Sequence, residues 1–457
     1  MRKKRQQALK EIPKLESLKQ INLNAAGIDV GETSIWVCVP EDREEKSVDR
    51  FGVFTCDLFA IADWFKTCGV TTVAMESTSI YWVPLYEILE NRGFEVFLVN
   101  PNDTKNIAGR KTDIEDCQWI QQLHTYGLLR PSFRPAGEFV ELRDLVRHRD
   151  DLLHHRASHI LHMQKNLHLM NLQIDNVISD ITGVTGMQIL QAIIAGERNP
   201  QVLAEYRDPR CKNSKAVIAK SLEGNYKTTY IFQLKQALEL YDFYTQQLKT
   251  CDEEIEKVYR QLPWQVDACR DTTTQLSGRD DRRHKHHPDF DLQLYLYRLT
   301  GVDLTAVDGL GAMVVQGVLA ETGVDMSKWP TEKHFASWMC ASPNNRVSGG
   351  KVLSRRTRKT KNRAYHYLRL GARSLHHSDS ALGAYFRRLR ARIGAPKATT
   401  AAAHKLARIM YRMIKEKKEY VDLGADHYEQ KYKEREIAKL VRKAAKFGLK
   451  VVPSEQA

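Results

Sequence analysis

Four acidic residues in the first quarter of the chain, Asp29, Glu76, Asp113 and Asp116, have the type and spacing of a metal-dependent phosphoryl-transfer site. Asp29 lies near the end of an apolar run, Leu23 to Val30, that predicts a β-strand. Gly31 then turns the chain, and Ser34 to Pro40 predicts the hairpin partner. Glu76 follows a second β-branched run, Thr71 to Met75. Asp113 and Asp116 open a predicted helix, where i, i+3 spacing puts both carboxylates on one face. Carboxylates from two strand ends and one helix can form an all-oxygen cage for Mg²⁺, with Mn²⁺ as the alternative ion. Two such ions about 4 Å apart clamp an in-line phosphoryl transfer. Glu115 and Asp103 share neither face nor spacing with this set and are left out.

The elements that must position these acids alternate from about Leu23 to Leu129. A third strand is expected near Arg50 to Phe54, a helix at Leu58 to Phe65, then the Glu76 strand. A helix from Tyr81 to Asn91 carries Pro84 in its first turn, where proline is tolerated. Glu95 to Asn100 is a fifth strand, and the Asp113/Asp116 helix closes the unit. The order β-β-β-α-β-α-β-α is that of a ribonuclease-H-like (resolvase-like) α/β fold.

After Pro135 the pattern turns helical. Leu142, Leu145, Val146, Leu152, Leu153, Ile160, Met163, Leu167 and Met170 keep a spacing of three or four. Near 234–262, Leu234, Tyr241, Leu248, Ile255 and Leu262 recur every seven residues, with Ala237, Tyr244, Cys251 and Val258 offset by three. That is an a/d seam, so this helix and the one before it are expected to pair as a coiled coil, and the simplest use for the heptads is assembly. Asp180 to Gly186 belongs to a smaller helical insert. The polar stretch 271–291 reads as an exposed linker. Leu304 to Val315, with Gly309 and Gly311, resembles a helix-hairpin-helix whose turn offers backbone N–H groups to a phosphate. The expected domains are a basic arm (1–22), a catalytic domain (23–135), a helical assembly region (136–270), a linker (271–295) and a basic C-terminal domain (296–457).

Charge is unevenly shared. Residues 346–457 hold 29 Lys and Arg against 9 Asp and Glu, a balance of +20, whereas the other 345 residues carry −6. Solubility needs no such asymmetry; a polyphosphate partner exploits it. The densest tract supplies the candidate nucleic-acid contacts Arg346, Lys351, Arg355, Arg356, Arg358, Lys359, Lys361 and Arg363. Ser348 lies within it, in Arg346-Val347-Ser348-Gly349-Gly350-Lys351. On its residues alone this is a flexible turn, although the glycines permit close backbone approach to DNA and Arg346 and Lys351 can hold a phosphate. Eight scattered cysteines without a Cys-x-x-Cys pair fit reduced thiols in a cytoplasmic protein and argue against structural zinc. No apolar run is long enough to span a bilayer. His148, His154, His155, His159, His162 and His168 share a helix without a carboxylate or cysteine at ligand spacing. They read as polar-face or RNA-facing residues. His284, His286 and His287 are given no site.

Taken together, Gly27-Ile28-Asp29-Val30, Met75-Glu76-Ser77-Thr78, Lys111-Thr112-Asp113-x-x-Asp116, the Asp180–Gly186 insert and the Asn344–Gly350 loop resemble the DEDD transposases of the insertion-sequence 110 family, more closely its 1111 subgroup. The resemblance spans nearly the whole chain. It implies a resolvase-like acidic domain, a C-terminal domain that supplies a serine nucleophile, and an element-encoded noncoding RNA that guides recombination. Placed on this sequence, the nucleophile is Ser348, with Ser342 and Ser354 as alternatives. The implied partners are double-stranded DNA of the element ends and target, the guide RNA, and further copies of the chain, as a dimer that becomes a tetramer in the synapse. One site would draw on both domains, from different subunits. The implied location is the cytoplasm, at the nucleoid when active. Cys117 replaces the family's usual Ala, and Cys340-Ala341-Ser342-Pro343 replaces Gly-Leu-x-Pro; both are small-residue changes beside the site. Two rivals stand. In a Holliday-junction-like nuclease, water attacks and no covalent intermediate forms. In a binding scaffold, the acids fail to converge.

Overall fold

The computed structural model describes residues 19–77, 79–101, 113–135, 137–266, 276, 286–354, 356–358 and 362–452. They form two compact units that divide between Phe133 and Arg134. Most of the basic arm, most of the expected linker and Asp103 lie outside the described residues.

In the first unit, β1 (Ala25–Val30), β2 (Ile35–Cys38) and β3 (Val48–Phe51) form an antiparallel meander. Helix α1 (Thr55–Thr67) carries the chain over to β4 (Thr72–Glu76), parallel to β1, and α2 (Trp82–Asn91) carries it to β5 (Glu95–Val99), parallel to β4. Parallel neighbours need such helical crossovers. The sheet order is β3-β2-β1-β4-β5, with α3 (Asp113–Thr125) following. Period-two alternation gives each face its own core. Ile28, Val30, Val73 and Met75 pack against Leu58, Ile61 and Phe65 of α1 and Leu85 and Leu89 of α2. Ala74 and Val99, on the other face, pack against Trp119, Ile120 and Leu123 of α3. Every strand expected in this region forms, within a few residues of its expected bounds.

The second unit is mainly helical. Helix α4 (Phe139–Leu169) lies antiparallel to α8 (Thr228–Gln261). Arg149 meets Asp252, His155 and His159 stack on Tyr244, and Arg156 lies over Tyr241. Short helices α5 (Val184–Ala195), α6 (Pro200–Ala204) and α7 (Lys215–Ser221) fill the insert between them and share a core with Met163, Leu167, Leu234 and Ala237. Leu234, Leu248, Ile255 and Val258 are all buried. Helices α4 and α8 thus pair within the chain, as expected, and the heptad seam is buried there by elements of its own chain rather than left open to a second copy. Leu248→Asn is expected to cost about 3 kcal/mol through lost burial and an unsatisfied amide. Thermal unfolding should show the loss equally at every protein concentration; a loss seen only on dilution would return the seam to subunit contact.

The described end of the expected linker is anchored rather than exposed. Arg149 donates to the His286 carbonyl at 2.8 Å, Arg156 meets His286 Nδ1 at 2.9 Å, and Phe290 packs on Tyr259 and Tyr295. Beyond it come α9 (Leu292–Thr300), a 3₁₀ turn (Leu304–Ala306), α10 (Ala312–Thr322), α11 (Glu332–Trp338), the hairpin strands β6 (Arg346–Ser348) and β7 (Lys351–Ser354), and helices α12 (Arg363–Ser374), α13 (Ala381–Ile393), α14 (Ala395–Glu416) and α15 (Gly424–Ala445). No helix of the described residues is long and apolar enough to cross a membrane.

Candidate active site

Sheet register decides where the acids sit. Residues two apart on a strand share a face, so Asp29 lies on the face of Gly27, and Glu76 on the face of Ala74. Ala74 packs under α3. Gly27 touches it more closely still: a Cβ there would stand 2.3 Å from the Cys117 carbonyl oxygen and 2.3 Å from the Gln121 backbone nitrogen. The missing side chain is what lets α3 lie directly on β1. Register pairs Gly27 with Ala74 and Ile28 with Met75, so the next step sets Asp29 beside Glu76 on adjacent parallel strands. Asp113, Glu115 and Asp116 occupy the first turn of α3, where the helix dipole favours negative charge.

Gly27→Ala is expected to push α3 off the sheet at a cost of about 2 kcal/mol, since backbone and not a flexible side-chain tip receives the clash. Denaturant titration measures that cost. Because α3 carries Asp113 and Asp116, DNA cleavage by the folded variant should fall further than its stability loss accounts for.

The charges report the clustering. Asp29 is pushed up to about 6, first by burial and then by the negative charges of Asp116, Asp113 and Glu76. The other three predicted acids therefore each lie within electrostatic reach of Asp29. Among the described residues, no three His, Cys, Asp or Glu side chains are already gathered at ion-ligating spacing. A set of mutually repelling oxygen donors is what a hard divalent cation would neutralise, so the donor chemistry fits such an ion.

Cys117 is fully buried, donates to the Ile114 carbonyl at 3.2 Å, and has its thiol pushed up by burial. It is a protonated packing residue in the α3–β1 seam, which explains why a small residue stands there. His124, at the far end of α3, is held neutral by burial, its pKa lowered to about 4, with Nε2 2.9 Å from Thr72 Oγ1. Sequence reasoning missed Trp36. Register places it directly beside Asp29 on the site face, with the Arg50 guanidinium 5.7 Å from its ring. The period-two pattern of the hairpin was the available signal.

Ser348 belongs to the second unit. It pairs with Lys351 across a two-residue turn in which Gly349 and Gly350 have φ of 53° and 75°. Two positive φ values are those of a type I′ turn, the connection that matches hairpin twist. The expected flexible turn is thus the tip of a β-hairpin. Its base is held by Asn344 N–H donating to the Arg356 carbonyl at 3.0 Å and by a Pro343–Thr357 bridge. Ser348 is exposed, and its hydroxyl makes no hydrogen bond among the described residues. Ser342 is half-buried, and Ser354 Oγ accepts from the Arg356 N–H at 3.3 Å.

The basic candidates separate by role. Arg346, Lys351 and Arg356 are exposed around the hairpin. Arg358 donates to the Ser337 carbonyl at 2.8 Å and so ties the loop to α11. Arg363 opens α12 with a guanidinium nitrogen 3.9 Å from Asp150. Arg355, Lys359 and Lys361 lie outside the described residues. Of the histidines, His155 and His159 stack on Tyr244, and His168 Nε2 meets Asp175 at 2.8 Å.

Residues 26–171 match a family model described as a transposase, that of the DEDD transposases of the IS110 group. Residues 303–387 match a second, described as the transposase IS116/IS110/IS902 family. No curated protein matches the chain.

Proposed function

This chain belongs to the IS116/IS110/IS902 family of transposases, and from that premise we propose how its two units divide the work of cutting and rejoining DNA. The family is one of divalent-metal-dependent DNA transposases of insertion elements. The observation that carries the reading is Asp29, raised to about 6 by burial and by Asp116, Asp113 and Glu76. It supports a catalytic centre made of these four carboxylates, and the order β3-β2-β1-β4-β5 supports a ribonuclease-H-like unit around them.

Asp29, Glu76, Asp113 and Asp116 would hold the ion, with Mg²⁺ the proposed metal. A bound ion of this kind supplies Lewis-acid polarisation of the scissile phosphate. Ser348 Oγ attacks phosphorus: an Oγ–P bond forms, the bond to the leaving deoxyribose oxygen breaks, and the serine proton passes to a base of the assembled site. The phosphoserine link conserves the bond energy for rejoining. Arg346 and Lys351 hold the non-bridging oxygens. The exposure of Ser348 at the hairpin tip favours it over half-buried Ser342 and the turn-engaged Ser354. The noncoding guide RNA, the oligomer, the helix-hairpin-helix-like use of the Gly309–Gly311 turn and nucleoid association belong to the same reading.

End-labelled duplex carrying the element's own terminus, incubated with purified protein and Mg²⁺, tests it. The expected product is a protease-sensitive DNA adduct on a denaturing gel, absent with EDTA. Free nicked DNA without adduct would favour the junction-nuclease rival, and no strand cleavage with or without metal would defeat both.

A further inference from the structure

A two-stranded hairpin with both faces in water is marginal on its own. Among the described residues, the contacts that hold the β6–β7 hairpin lie at its base, through Asn344, Pro343, Arg356 and Thr357. Above that base its two faces differ. Ser348 pairs with Lys351 on one face, and Val347 pairs with Val352 on the other. The register shifts between Arg346 and Val347, which leaves Leu353 as the extra residue of a bulge. Val347, Val352 and Leu353 are 58%, 43% and 69% exposed. Single exposed aliphatics need no explanation, but three among the seven strand residues of one hairpin form a patch.

Charge says what covers it. From Lys333 to Ser378 the sequence holds eleven Lys and Arg and not one Asp or Glu. An apolar protein surface calls for no such frame, whereas a polyanion does. Two-stranded ribbons fit DNA grooves, and aliphatic side chains set among basic ones are the composition that inserts between base steps and unstacks them. We propose that the Val347–Val352 face of this hairpin is a wedge that seats against unstacked base pairs of duplex DNA, while the opposite face turns Ser348 and Lys351 to the adjoining phosphate. The second half of that statement rests on Ser348 being the nucleophile; the wedge itself does not. The wedge opens the duplex beside the bond to be exchanged, so strand transfer starts from bases already unpaired from their stack.

The test uses the full chain and a duplex of the element terminus with 2-aminopurine at the base steps flanking the cut bond. Unstacking raises 2-aminopurine fluorescence. The double variant Val347→Thr/Val352→Thr keeps β-branching at both positions, and both are exposed, so the fold should hold. Wild-type protein should raise the fluorescence several-fold, and the double variant should not. Adduct formation by the variant should fall about 10-fold or more, with duplex affinity changed by less than about 3-fold, because phosphate contacts carry most of it. Undiminished fluorescence and adduct formation in the variant would overturn the wedge. So would a change in its mass by light scattering without DNA, since the face would then be a protein contact. Ser348→Ala separates the two readings. If it raises the fluorescence and forms no adduct, both stand. If it still forms adduct, the serine assignment fails, and the fluorescence of the valine variant alone decides the wedge.

Discussion

Asp29→Asn is expected to stabilise the metal-free protein at neutral pH and to abolish its DNA cleavage. The two effects share one cause. An acid whose folded pKa lies near 6, above the ordinary 3.8, prefers its proton in the folded state. Its ionised form therefore penalises folding, fully above about pH 6 and not at all below about pH 4. A rise from 3.8 to about 6 corresponds to about 3 kcal/mol, but Asp29 is only half-buried, and solvent screening trims the penalty to about 1–2 kcal/mol. Asparagine removes it. In EDTA at pH 8 the variant's unfolding midpoint should rise by a few degrees, and by pH 4 the gain should vanish. Adding Mg²⁺ should stabilise wild type more than the variant, because only the wild-type site still has its full carboxylate set. Losing a ligand that helps stabilise transition-state charge costs about 4 kcal/mol, or about 10³-fold in rate. Scanning fluorimetry with and without metal, beside a cleavage assay, reads both effects. A variant no more stable than wild type that still cut DNA would remove Asp29 from the site.

Much of this placement was legible in the residues. β-branched runs bounded by turn residues gave the strands, and an acid at each strand end gave two corners of the site. Gly27 inside a strand was a further signal, since a glycine there marks close backbone approach, here that of α3 at the Cys117 carbonyl. The pairing of the 234–262 seam with the preceding helix was legible, whereas its use in assembly was not: an a/d repeat states that a face is covered, not whether a second copy covers it. Leu142, Val146, Leu152, Met163 and Leu167 supplied a matching stripe on α4, long enough to cover it from within the chain. Arg363 is similar: its charge was readable, but the nearby Asp150, over 200 residues upstream, was not. The Gly349-Gly350 pair could have been read as a hairpin turn and not simply as a loop, because both positions need positive φ.

Ser348→Ala should leave folding intact and remove the covalent adduct. The side chain is exposed at a hairpin tip, so truncation should change stability by less than about 0.5 kcal/mol. Loss of a nucleophile that acts as one unit with its activating site costs about 10⁴-fold or more. The acids and the serine belong to separate compact units, Met1–Phe133 and Arg134–Ala457, so the reading requires them to meet on bound DNA. That requirement can be tested by mixing Ser348→Ala protein with Asp29→Asn protein. Each variant alone should form no adduct. If one site takes its acids from one subunit and its serine from another, a mixed dimer holds one site with both groups intact and one with neither. With random exchange, half the dimers are mixed, and about a quarter of wild-type activity should return. If both groups come from the same subunit, every site in the mixture lacks one of them and no activity returns. Adduct formation by Ser348→Ala alone would place the nucleophile elsewhere, with Ser342 and Ser354 the next residues to replace.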